Sequence, residues 1–86
     1  MTSTDTALRS LLDAVLGLGA ARAAALTADS GLFGALPELD SMAVAGLLTE
    51  IEDRFDIVID DDEVGGDMLG TYGDLLAFIR AKRGEA

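Results

Sequence analysis

Reactive side chains are scarce in this chain. It has no cysteine and no histidine, which removes thiol nucleophiles, imidazole bases and most zinc sites together. What remains is one hydroxyl in a telling place. Ser41 lies in the run Pro37-Glu38-Leu39-Asp40-Ser41-Met42, where a loop gives way to an apolar-periodic helix. A serine at a helix start is commonly a cap. It is also a good seat for a phosphoryl group, because the free N–H groups and dipole of the first turn favour an anion. An arm attached there would project without disturbing a core.

Carboxylates are plentiful, but a catalytic pair needs burial or a cleft to drive its two pKa values apart, and these acids read as a solvated face. The cluster Asp60-Asp61-Asp62-Glu63-Val64-Gly65 places a glycine sixth, as a calcium loop does. Val64 and Thr71, however, stand at the fifth and twelfth positions, where that loop needs oxygen ligands. No phosphate-cradling glycine loop and no nucleophile elbow is present. The inventory points to a handle for something else, not to a catalyst.

The elements that must position Ser41 follow from periodicity. Leu8, Leu11, Leu12, Val15 and Leu16 form the stripe of a helix over about Thr4 to Leu16, with Thr2 or Ser3 as its cap and Gly17 and Gly19 as its stop. Residues 17–40 form a long connection, with a short helical turn over Ala20 to Leu26 and breaks at Asp29-Ser30-Gly31 and Gly34. A structureless loop of that length is uncommon, and its Leu32, Phe33, Leu36 and Leu39 predict that it packs down. A second helix starts at Ser41, is capped by Asp40, and runs to about Asp56 with Leu47, Leu48, Ile51 and Phe55 on its buried side; Glu50, Asp53 and Arg54 face out. Ile57-Val58-Ile59 then reads as an extended apolar segment, and a short helix is expected between Asp61 and Leu69. The last helix spans about Tyr72 to Lys82, with Thr71 and Asp74 at capping-box spacing and Tyr72, Leu75, Leu76 and Ile79 as its stripe. The expected fold is all-α: a bundle of three main helices plus a short one, with a long loop between the first two main helices, in one domain over residues 1–86.

Composition frames these elements. A chain of 86 residues buries only about 60% of its unfolded surface, so its stability is marginal. The 50% hydrophobic content overstates the core, since 14 of those residues are alanine. Asp5, Arg9 and Asp13 interrupt any apolar signal-peptide core, and no stretch reaches the roughly 18 apolar residues of a membrane span. With no disulfide available, a cytoplasmic location is expected. The net charge of −10 is concentrated: eleven acids and one base, Arg54, lie between Glu38 and Asp67, while five acids balance five bases elsewhere. Such a field repels nucleic acid and anionic membranes and draws basic protein surfaces.

The sequence resembles the acyl carrier proteins and related phosphopantetheine-binding carriers, from the Leu8–Leu16 helix to Ile79. Its centre, Leu39-Asp40-Ser41-Met42, is similar to the family's Asp-Ser-Leu motif with methionine for leucine. Leu47-Leu48, Ile51-Glu52, Phe55-Asp56 and Ile59-Asp60-Asp61 follow the family's spacing behind it. The resemblance implies that a phosphopantetheinyl transferase attaches 4′-phosphopantetheine from coenzyme A to Ser41, and that the arm's thiol carries acyl groups as thioesters. The missing cysteine then makes sense, because the reactive thiol is imported. By the same resemblance Asp40 helps the transferase recognise the site and Met42 supports hydrophobic docking. Glu52 and Asp53 match acidic positions that face basic partners. The implied protein is a monomeric carrier and not an enzyme; its partners are the transferase and acyl-loading and acyl-transferring enzymes with basic or apolar docking patches.

Two departures mark it as specialised. Many acyl carriers place acids where this chain has Ala43 and Gly46, so the docking patch near the arm is small and apolar. Gly46 costs about 1 kcal/mol of helix propensity, which predicts close approach by something at that point. The Gly65-Gly66 region is also two residues longer than in the fatty-acid type. The run Leu36 to Val44, with Ile59 to Glu63, is similar to carriers associated with exosortase and exopolysaccharide gene clusters. Two other readings stand beside this one. A peptidyl carrier ranks lower, because Glu38-Leu39 replaces the glycine pair that tends to precede its serine. An unmodified acidic helical interaction module would use Ser41 only as a cap.

The concentrated charge generates a first prediction. Self-repulsion among the acids of residues 38–67 destabilises the fold at low ionic strength, so melting temperature is expected to rise with added salt or divalent cations. A flat thermal response to salt would show that the acids are already neutralised or well spread.

Overall fold

The computed structural model describes residues 3–65 and 67–85. Thr2, one of the two expected caps, and Gly66 of the glycine pair lie outside the described residues. The helices are α1 (Thr4–Leu16), α2 (Ala20–Ala25), α3 (Ser41–Phe55) and α4 (Tyr72–Lys82), with one 3₁₀ turn over Asp61–Glu63. The all-α reading therefore stands, and the 3₁₀ turn is the short helix expected after Asp61.

Each long helix is started by a side chain and buries one stripe. The Ser3 hydroxyl accepts from the Thr6 amide at 3.1 Å and opens α1, and Gly17, at φ 68°, closes it in the left-handed conformation that glycine adopts without strain. Thr71 accepts from the Asp74 amide at 3.1 Å and opens α4. Helix α3 stops at Phe55, one residue short of the expected end, because Asp56 turns to φ 55° and its amide bonds back to the Glu52 carbonyl. The core gathers Leu8, Leu11 and Leu12 of α1, Leu47, Ile51 and Phe55 of α3, and Tyr72, Leu75 and Ile79 of α4. Val15, Leu48 and Leu76, expected in the stripes, are only half-buried at its edge. In the segment after α3, Ile57 and Ile59 pack against the core while Val58 points to solvent, 70% exposed.

The long connection is more ordered than its composition predicts. Its alanine-rich start is a true helix, α2, whose last carbonyls are satisfied from outside: Arg9 Nη1 donates to Ala23 O at 2.8 Å and to Ala24 O at 3.2 Å. Beyond α2 the chain runs antiparallel to the segment that enters α4. The amides of Leu32 and Phe33 donate to the carbonyls of Gly70 and Leu69 at 3.0 and 2.9 Å; the amides of Tyr72 and Gly73 donate back to Ser30 and Ala28 at 2.8 and 3.0 Å. This pairing buries Leu32 completely, and Leu39 is buried further along. The expectation that the connection packs down is met, through backbone pairing that apolar residues alone do not specify.

Two glycines in helices now separate by cause. A Cβ on Gly73 would lie 2.8 Å from the carbonyl oxygen of Ala28, so the pairing demands glycine there. A Cβ on Gly46 would meet nothing within 4 Å, so among the described residues no group of the chain itself is the close neighbour that its helix cost invites. Gly73→Ala is expected to destabilise the fold by about 1–3 kcal/mol through overpacking. Gly46→Ala is expected to stabilise it by about 0.5–1 kcal/mol through helix propensity. Chemical denaturation of both variants checks the opposite signs.

Candidate functional site

Asp40 and Ser41 divide the work of the α3 start. The Asp40 side chain takes the capping position, its Oδ1 accepting from the Ala43 amide at 2.8 Å. Ser41 is the first helical residue and is exposed, so its hydroxyl is not spent on the cap. It stands between two hollows. One, a cavity of about 320 Å³, is lined by Phe33, Val44, Val64, Gly65 and Leu69 together with Ser41 and carries no charged residue. The other, about 370 Å³, runs along the preceding loop from Phe33 to Asp40. Phe33 belongs to both and is 47% exposed. Its place could not be read from spacing, because it depends on the backbone pairing of residues 32 and 33 with 69 and 70; the apolar pair Leu32-Phe33 in an otherwise breaking stretch was its only trace.

The other expected docking residues do not form one surface of equal exposure. Met42, beside Ser41, is 88% exposed, an unusual state for a large apolar side chain on a helix. Gly46 lies one turn further on and is exposed; Ala43 is half-buried against the core. Asp53 is exposed as expected. Glu52 is not turned outward: its Oε2 accepts from the Ile59 amide at 2.8 Å, which ties the segment after α3 back onto the helix.

The two walls around Ser41 are each held by an ion pair. Arg22 of α2 meets Glu38 at 2.5 Å, and the Arg22 hydrogen bond, with help from Glu38's own backbone, holds that carboxyl below its ordinary value. Lys82 of α4 meets Glu63 at 2.6 Å, next to the wall residues Val64 and Gly65. Glu63 also accepts from the Asp60 amide at 3.0 Å, completing a capping box on the 3₁₀ turn. The Lys82 hydrogen bond first, and the Asp60 amide second, hold the Glu63 carboxyl below its ordinary value. Among the described residues no group of three or more acids is placed to hold a metal ion. Among those residues, too, no helix is long and apolar enough to cross a membrane.

A small helical bundle that frees a serine hydroxyl at a helix start, beside an uncharged cavity, has the form of a carrier domain. Comparison with known proteins agrees. The family model described as a phosphopantetheine attachment site matches residues 6–79. The solution NMR structure of a holo acyl carrier protein from Nitrosomonas europaea superposes with a TM-score of 0.85 at 43% identity, covering 98% of this chain and 99% of that one. An acyl carrier protein from Exiguobacterium sp. is 40% identical over 43 residues, 50% of this chain and 52% of that protein, so that match spans about half of the relative's length. The chain belongs to the acyl carrier protein family, a family of carriers that are substrates of phosphopantetheinyl transferases and bear covalent 4′-phosphopantetheine.

The ion pair at Glu63 has a testable pH signature. A carboxyl whose folded pKa lies below its ordinary 4.5 stabilises the fold above that value, and the contribution is lost as pH falls through the lower folded one. Glu63→Gln is therefore expected to melt below wild type at neutral pH. The gap should persist down to the ordinary carboxylate range and close as pH falls below it, through the lowered folded value. Parallel thermal melts across that range measure the gap; a constant difference would show that the carboxylate charge is not what holds the turn.

Proposed function

We propose that Ser41 is the attachment point of the phosphopantetheine arm and that the chain is a discrete, monomeric acyl carrier for a specialised acylation pathway. The observation that carries this is the division of labour at the start of α3: Asp40 caps, and the Ser41 hydroxyl is left exposed and uncommitted. An interaction module needing Ser41 as its cap has no support here, because Asp40 occupies that role.

In the attachment step the Ser41 Oγ attacks the phosphorus that bears pantetheine in coenzyme A. A new P–O bond forms to serine, the pyrophosphate P–O bond breaks, and adenosine 3′,5′-bisphosphate departs. The hydroxyl proton passes to a base supplied by the transferase: among the described residues no lysine or arginine lines either hollow, and the Asp40 carboxylate there is engaged by the Ala43 amide. The resulting phosphodiester sits at the N-terminus of a 15-residue helix, where the first-turn amides and the dipole favour its charge. When bound, the arm supplies a thiol that holds an acyl group as a thioester. The chain's own residues supply the rest. Asp40 fixes the serine's place in the first turn, and Met42 and Gly46 offer an apolar step beside it. Asp53 faces outward further down α3 for a basic partner surface. Tethering makes delivery effectively intramolecular once a partner has docked. The absence of acids at Ala43 and Gly46 supports partners that dock partly by apolar contact. With no disulfide to make, we place the chain in the cytoplasm.

Intact-mass analysis after incubation with coenzyme A and a broad-specificity phosphopantetheinyl transferase tests the assignment. The wild-type chain is expected to gain one phosphopantetheine. Ser41→Ala is expected to gain none while melting within about 0.5 kcal/mol of wild type, because the hydroxyl makes no structural contribution to the cap. Modification of the alanine variant would move the site elsewhere.

A further inference from the structure

We infer that Arg22 is a positioning residue for the attachment serine, acting through Glu38; the inference rests on the reading of Ser41 above. Helix α2 gives the core little, since Ala23 is its one buried residue. Its polar groups are better anchored than its packing. Arg9, which caps the α2 carbonyls, is itself fixed from two sides: its Nε meets Asp5 Oδ1 at 3.1 Å, and its guanidinium lies 4.6 Å from the centre of the Tyr72 ring. Tyr72 Oη donates to the same Asp5 oxygen at 2.5 Å, which holds the Asp5 carboxyl below its ordinary value. Thus α1 and α4 fix α2 through a continuous set of polar contacts.

From this anchored helix Arg22 reaches across to the loop before Ser41. Its Nη1 and Nη2 meet Oε2 and Oε1 of Glu38 at 2.5 and 3.2 Å, a two-point fork that sets orientation as well as distance. Glu38 stands next to buried Leu39 and two residues before the cap Asp40. The stretch it steadies lines the hollow of about 370 Å³ that ends at Ser41. That stretch otherwise rests on local turns, with the amides of Ala35 and Leu36 donating to Leu32 and the Leu39 amide donating to Leu36. Gly34, at φ 90°, breaks its regularity. The fork is the ion pair that ties this loop to a helix among the described residues. A transferase must find the serine and its approach in one arrangement, and a loosened loop reduces the fraction of productive encounters.

The test uses the full chain with Arg22→Gln, Glu38→Gln, the double variant and the reversed pair Arg22→Glu/Glu38→Arg. Loading by the broad-specificity transferase gives KM and kcat. Amide exchange at Leu36 and Leu39 in the unmodified chain reports the loop directly. Each single variant is expected to raise KM by about two- to fivefold with kcat unchanged, and to speed exchange at both amides. The double is expected to be no worse than either single, and the reversed pair to recover toward wild type. The two singles change net charge in opposite directions, so a general effect of charge on the encounter would move them oppositely, whereas the fork moves them together. Opposite or additive effects, or loading of Arg22→Gln at the wild-type KM, would overturn the inference while leaving Ser41 as the site. Failure of the wild-type chain to load at all would overturn both.

Discussion

The fold depends on a short backbone pairing that no helix supplies. Residues 28–33 run against 69–73, and four amide-to-carbonyl bonds between 2.8 and 3.0 Å join the long connection to the entry of α4. A connection of this length would otherwise leave a run of backbone polar groups to water and a large entropy of ordering unopposed. The pairing satisfies those groups, buries Leu32, and sets Phe33 at the rim of the cavity beside Ser41. It also explains why small residues occupy the contact. A Cβ on Gly31 would lie 2.7 Å from that of Ala35, and one on Gly73 would press on the Ala28 carbonyl. Close approach of the Ala28 backbone accounts for Gly73, and the Ala35 side chain four residues on accounts for Gly31.

Charge shapes the same region from the other direction. Among the acids of residues 38–67, ion pairs within the described residues draw in two, Glu38 and Glu63. Both pairs bridge different elements: α2 to the loop before Ser41, and the 3₁₀ turn to α4. Exposed pairs of this kind add little to global stability. Their effect is on where the walls of the site stand. The remaining negative charge is left to act at long range, which suits a protein that must meet several partners briefly and release them.

The helices were legible because their signals are local. Leu8 to Leu16, Leu47 to Phe55 and Tyr72 to Ile79 repeat at helical spacing, and Ser3, Asp40 and Thr71 are caps by type and position. The place of Ser41 at a helix start was legible for the same reason, at the boundary that Asp40 marks. What was not legible depends on partners distant in sequence. Helix α2 is an alanine run that looks marginal until Arg9 closes its end. Glu52 matches an outward-facing position by register, yet the bend at Asp56 brings the Ile59 amide within its reach and turns it inward. Gly46 invited close approach by something, and within the chain the space beside it is open. Pattern fixes which face a residue occupies; the path of the following segment decides what it meets there.

The separation of Asp40 from Ser41 carries a wider consequence. A side chain that caps a helix is bound to a geometry, and modifying it would release the first turn. Here the cap is an aspartate, which cannot be the acceptor of a phosphoryl arm in this chemistry, and the adjacent hydroxyl is structurally idle. On the proposed assignment of Ser41, the cap at Asp40 stays in place when an arm is attached, and the new negative charge meets the amides of the first turn. Exposed Met42 lies beside Ser41 and unshielded Gly46 one turn further on, both outside the core, where contact with a partner would cost the fold little. A domain of this size has little stability to trade for function. On the proposed reading, attachment and docking fall on groups that the fold does not need, which keeps the two apart.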